Sequence, residues 1–123
     1  MPSAEHITET VNRYISLVAK GTADDIVELY ADDATVEDPV GAETHIGRQA
    51  IHGFYSTFEN MERDNELTLL RVAGNEAAFG FRLTVKAAGS GMVIEPIVVM
   101  ALSEDPKVAA MKAYWSPNDV TPL

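Results

Sequence analysis

Ile7, Val11, Tyr14, Ile15 and Val18 recur at steps of three and four residues, so they share one face of a helix that ends at Gly21. Thr22, with Asp25 three places on, resembles a capping box, and Ile26, Val27, Leu29 and Tyr30 follow as a short second helix. Ala34 to Glu37 reads as a short strand closed by Asp38-Pro39 and Gly41. A third helix is predicted to carry Ile51, Phe54, Tyr55, Phe58 and Met61 on one side. The second half changes period. Leu67 to Ala73, Ala77 to Ala87, Met92 to Leu102 and Val108 to Trp115 are strand-like runs. Gly74-Asn75, Gly89-Ser90-Gly91 and Ser103-Glu104-Asp105-Pro106-Lys107 separate them with turn chemistry at hairpin lengths. Helices followed by hairpin-connected strands imply an α+β fold, with three N-terminal helices packed on one face of a curved antiparallel sheet. A sheet curled over a helix layer leaves a pocket with mostly apolar walls.

Composition narrows the partners. The 123 residues contain 9 basic and 19 acidic side chains, so 9 − 19 gives a net charge of −10. Neither a repeat nor a linker-like stretch interrupts the chain, so residues 1–123 are expected to form one domain. The acidic excess disfavours nucleic acid and anionic membrane surfaces, both of which need a basic stripe. No apolar run approaches the ~20 residues that span a bilayer, and the N-terminus lacks the pattern of a signal peptide. Cysteine is absent, which removes disulfides and thiol nucleophiles and is compatible with the cytoplasm. With no phosphate loop or dinucleotide fingerprint, no cofactor is expected. His6, His45 and His52 read as solvated helix-end residues rather than metal ligands, so no metal site is expected either.

Four residues carry the candidate chemistry. Tyr14 and Tyr55 lie within the apolar stripes of their helices, and Tyr30 ends the second. A buried phenol needs a hydrogen-bond partner. Each could be a core filler bonded to a nearby carbonyl, or all could share a network that donates to an oxyanion. In Thr35-Val36-Glu37-Asp38-Pro39, successive extended residues point to opposite faces, so one carboxylate faces inward and the other solvent. Asp38 before proline is either a turn residue or a catalytic acid or base. The pairs Asp24-Asp25 and Asp32-Asp33 read as helix-end charge and solvated surface.

These residues also carry a resemblance. The stretch from Tyr30 through Asp32-Asp33 and Glu37-Asp38-Pro39 to Gly41 resembles the signature of bacterial Δ5-3-ketosteroid isomerases. Arg13-Tyr14, Phe54-Tyr55 and Met111-Lys112-Ala113-Tyr114-Trp115-Ser116 fit the same family, within the superfamily of the cone-shaped nuclear transport factor 2 fold. The resemblance implies that Asp38 shuttles a proton from C4 to C6 of a 3-oxo-Δ5 steroid. Tyr14 would donate to the dienolate oxygen, with Tyr55 and Tyr30 extending the network behind it. Phe54, Phe79, Phe81, Val98, Met111 and Trp115 would line the steroid pocket, and a homodimer through the sheet is implied. One element departs from the family. Its second oxyanion donor is a protonated aspartate after Pro-Ile, whereas Glu95-Pro96-Ile97 is followed here by Val98. Losing one such donor typically costs about 10²–10³ in rate. The leading expectation is a steroid Δ-isomerase with a reduced oxyanion hole. The alternatives are a non-catalytic binder of steroids or other apolar ligands, and an epoxide hydrolase or polyketide cyclase using Asp38.

Overall fold

A computed structural model describes residues 1–123. Helix α1 (Ala4–Lys20) opens on Ser3, whose hydroxyl accepts from the His6 N–H, and buries Ile7, Val11, Tyr14, Ile15 and Val18. It stops at Gly21, whose N–H returns to the Leu17 carbonyl. A Cβ there would lie 2.8 Å from Leu17 Cδ2 and 2.9 Å from the Leu17 oxygen, so the turn is tight enough to favour glycine. Helix α2 (Ala23–Val27) has both bonds of the Thr22–Asp25 capping box. Tyr30, predicted as the end of this helix, instead begins strand β1 (Tyr30–Glu37). The chain turns at Glu28-Leu29, and Tyr30 pairs with Val108, a contact no local pattern announces.

Strand β2 (His45–Ile46) leads into α3 (Arg48–Ser56), which buries Ile51 and Tyr55. That helix is shorter than its apolar spacing suggests, so Phe58 and Met61 lie beyond it. Strands β3 (Glu62–Ala73) and β4 (Glu76–Ala87) form a long hairpin, turned at Gly74 with φ +58°. The predicted strand from Met92 to Leu102 is interrupted at Glu95-Pro96, giving β5 (Ser90–Ile94) and β6 (Ile97–Leu102). Pro96 has no N–H for a ladder. Strand β7 (Val108–Tyr114), a 3₁₀ turn (Pro117–Asp119) and β8 (Val120–Pro122) complete the chain.

All eight strands join one sheet in the order β2-β1-β7-β6-β4-β5-β8, with β3 on β4. The sheet is mixed, which corrects the antiparallel expectation. Strand β1 runs parallel to β7, with Val36 opposite Met111, while the remaining pairs are antiparallel. Hairpin logic misses this because β1 reaches β7 across most of the chain rather than through a turn. One edge of β4 carries β3; its other edge is shared, Glu76–Gly80 with β6 and Leu83–Ala87 with β5. The helices cover one face, and the core lies between the layers. No helix is long and apolar enough to cross a membrane.

Candidate active site

Three elements deliver the tyrosines to one place. Tyr14 comes from α1, Tyr55 from α3 and Tyr30 from the start of β1, and all three are buried. The Tyr55 hydroxyl lies 3.0 Å from that of Tyr14 and 2.7 Å from that of Tyr30. Each phenol has one proton. If Tyr30 donates to Tyr55 and Tyr55 to Tyr14, the Tyr14 proton is left for the cavity. Burial pushes all three phenols above their ordinary range, so they remain protonated donors at neutral pH. Edge-on contacts hold the Tyr14 ring, with centroids 6.1 Å from Phe79 and 6.4 Å from Phe81.

Asp38 follows the last residue of β1. Its Oδ1 accepts from Trp115 Nε1 at 2.7 Å. Neighbouring Glu37 turns the other way, where its Oε2 accepts from the Gly41 N–H at 2.9 Å. Alternation along the strand thus separates two adjacent carboxylates, one to a cavity and one to a turn. Burial pushes the Asp38 carboxyl above the usual range, partly opposed by the Trp115 hydrogen bond and the charge of His45. A carboxylate so placed is a stronger base than one in water.

Tyr14 and Asp38 both line a cavity of about 230 Å³. Thirteen residues form its walls, and Asp38 is the only charged one. Phe54, Tyr55, Phe81 and Trp115 line it as well. The structure places four other anticipated residues behind it. Tyr30 reaches the site only through Tyr55, and Phe79, Val98 and Met111 are core residues outside the lining. Phe79 stands opposite Val98 on the β4–β6 ladder, covered by the Tyr14 ring. The sequence reading missed Val18, Phe58, Leu83, Val85, Met92, Ile94 and Pro96. Leu83 and Val85 share the face of Phe81 at steps of two, a legible signal; Ile94 and Met92 are their cross-strand partners, which requires the register. No cluster of three or more His, Asp or Glu side chains is placed to hold a metal. His52 instead meets Asp24 at 2.7 Å on the surface, and His45 stacks on Phe54 with ring centroids 4.9 Å apart.

A SnoaL-like domain model matches residues 11–111, most of the chain. The chain belongs to the SnoaL-like family. This SnoaL-like chain is 43% identical over 122 residues to a steroid Δ-isomerase of Nocardioides simplex, with 98% of both chains covered. It is 25% identical to the epoxide hydrolase LasB of Streptomyces lasalocidi, across 99% of this chain and 51% of LasB, so it spans about half of that protein. Among solved structures it superposes on SalBIII, an epoxide hydrolase/cyclase-like enzyme in pyran ring formation in the polyether salinomycin. The TM-score is 0.89 at 25% identity, with both chains covered completely. RV0760c from Mycobacterium tuberculosis matches with a TM-score of 0.90 at 16% identity over both whole chains, a likeness of fold alone. The chain is therefore related to a steroid isomerase, an epoxide hydrolase and an epoxide hydrolase/cyclase-like enzyme.

Proposed function

We propose that the chain is a steroid Δ-isomerase acting on 3-oxo-Δ5 steroids. The observation that carries this reading is the opening of the Asp38 carboxylate and the Tyr14 phenol into one otherwise apolar cavity. The 43% identity to a steroid Δ-isomerase supports it. A C4 proton of the bound steroid passes to Asp38, and the electron pair moves through C3 onto the carbonyl oxygen, giving a dienolate. The same proton returns to C6, the double bond ends between C4 and C5, and Asp38 is again a carboxylate. Tyr14 donates to the oxygen as its charge develops, and Tyr55 and Tyr30 polarise that donor from behind. Trp115 holds Asp38 by one oxygen and leaves the other for the proton. Phe54 and Phe81 pack on the rings.

Val98, where the resemblance expects a second donor, supplies none, and turnover is lowered accordingly. The resemblance adds a cone-shaped sheet and a homodimer through it, and the composition adds one domain, no cofactor and a cytoplasmic location. Neither nucleic acid nor a membrane is a partner in this reading.

Conversion of 5-androstene-3,17-dione to the conjugated enone, followed by ultraviolet absorbance, tests it. We expect turnover above the buffer rate, reduced about 10²–10⁴-fold in Asp38→Asn. A rate equal to buffer, unchanged by that substitution, would overturn the isomerase. A ligand that then quenched Trp115 without product would mark a binder. The likeness to LasB and SalBIII favours epoxide opening as the second reading, with Asp38 activating water, and an epoxide panel separates the two.

A further inference from the structure

Arg63 and Asn65, at the start of β3, have no part in the proposed chemistry, yet they occupy the cavity side of the sheet. Arg63 stands opposite Val85 and Asn65 opposite Leu83, and directly opposed residues share a face. Val85 and Leu83 line the cavity. A strand rise of about 3.3 Å per residue puts Val85 roughly 13 Å along β4 from Phe81, the residue that packs on Tyr14. Val85 therefore belongs to the end of the cavity away from the phenol.

The Arg63 guanidinium ties two segments together at that end, the close of α1 and the turn after α3. Its Nη1 donates to the Val18 carbonyl at 2.9 Å, and its Nη2 to the carbonyls of Gly21 at 2.8 Å and Glu59 at 3.3 Å. Its central carbon lies 5.9 Å from the centre of the Phe58 ring. Val18, Phe58 and Val85 are all cavity walls, contributed by α1, the turn after α3 and β4. Asn65 adds a bond from Nδ2 to the Ile15 carbonyl at 3.3 Å. The arrangement leaves Arg63 Nε and Asn65 Oδ1 buried without a protein partner, a cost that an apolar pair at these positions would not carry.

We propose that Arg63 is a positioning residue that sets this outer wall, and through it the selectivity for the length of a ligand's apolar body. Tyr14 and Asp38 meet the reacting end of the ligand; Val18 and Phe58, tied by one planar cation, and Val85 opposite it on the ladder meet what is attached to it. The inference rests on the isomerase reading only for the choice of ligand.

Trp115 is the only tryptophan, so its quenching reports binding directly. The test compares two ligands, 4-androstene-3,17-dione and a bicyclic 3-oxo-Δ4 enone that keeps only the first two rings. Arg63→Lys keeps the charge but loses the fork that serves three carbonyls. We expect its Kd for the four-ring ligand to rise about tenfold while that of the bicyclic enone changes less than about twofold. For 5-androstene-3,17-dione the KM should rise with kcat held. Arg63→Gln is read the same way, and thermal melts establish which variants fold. Equal weakening of both ligands, no weakening of either, or a fall in kcat alone would overturn the proposal. A wild-type protein that binds both enones but fails to convert 5-androstene-3,17-dione would instead overturn the isomerase, and the length comparison would still decide the wall.

Discussion

At the scale of the residue, Asp38 is the one charged side chain in the cavity wall. Burial raises its folded-state pKa, so the folded chain binds this proton more readily than the unfolded chain does. Its contribution to stability therefore falls as pH rises through the window between the unfolded and the raised folded pKa. Asp38→Asn removes that cost while keeping an oxygen to accept from Trp115. The variant should melt at a higher temperature than wild type at neutral pH, with the gap closing as pH falls through that window. Calorimetry across pH checks this, and a gap independent of pH would contradict it. Trp115 acts on the same group in the opposite direction. Its N–H stabilises the carboxylate at 2.7 Å, so Trp115→Phe should raise the Asp38 pKa further. The acid limb of the kcat/KM profile should move to higher pH, because only the ionised form accepts the proton. A limb that stayed in place would show the bond to be unimportant for titration. Tyr14, Asp38 and Tyr55 were legible from residue type and spacing. The bond between Trp115 and Asp38 was not, since 77 residues separate its ends.

At the scale of the element, ends were harder to read than faces. The stripe of α1 was fully visible, and so was the Thr22–Asp25 box. The start of β1 was not, because Tyr30 suits the end of a helix or the start of a strand equally and only pairing with Val108 selects the strand. Pro96 carried a readable break, yet the apolar runs on both sides made one strand of two. Gly21 is the junction where element and site meet, since its carbonyl is one of the three held by Arg63. Gly21→Ala would press a methyl group against the Leu17 carbonyl at 2.9 Å. Overpacking of this kind costs about 1–3 kcal/mol. The expected result is a lower denaturation midpoint with an unchanged m-value, and a midpoint equal to wild type would show that the turn relaxes freely.

At the scale of the molecule, the sheet has one face under the helices and one without cover from this chain. On the uncovered face, Leu69, Gly80, Ile97 and Tyr114 stand in register across four strands. Leu69 and Ile97 are each 49% exposed and Tyr114 is 46% exposed, an apolar row on an otherwise acidic protein. The homodimer reading predicts sedimentation at twice 13.3 kDa, and Ile97→Asp should shift the protein toward the single chain. Wild type sedimenting at 13.3 kDa would end that reading. The sequence by itself determined the α+β class, the acidic charge balance and the helix faces that carry Tyr14 and Tyr55, and it left Asp38 as one of two readings, because periodicity, charge and residue type are local properties. Tertiary structure alone decided that β1 runs parallel to β7, that Phe79, Val98 and Met111 stand behind the cavity rather than in it, and that Arg63 meets its far wall. Each depends on strand register, which is set by contacts between segments distant along the chain. The net charge of −10 is a property of the composition, but only the fold sets one of those acids, Asp38, beside Trp115 in the cavity wall.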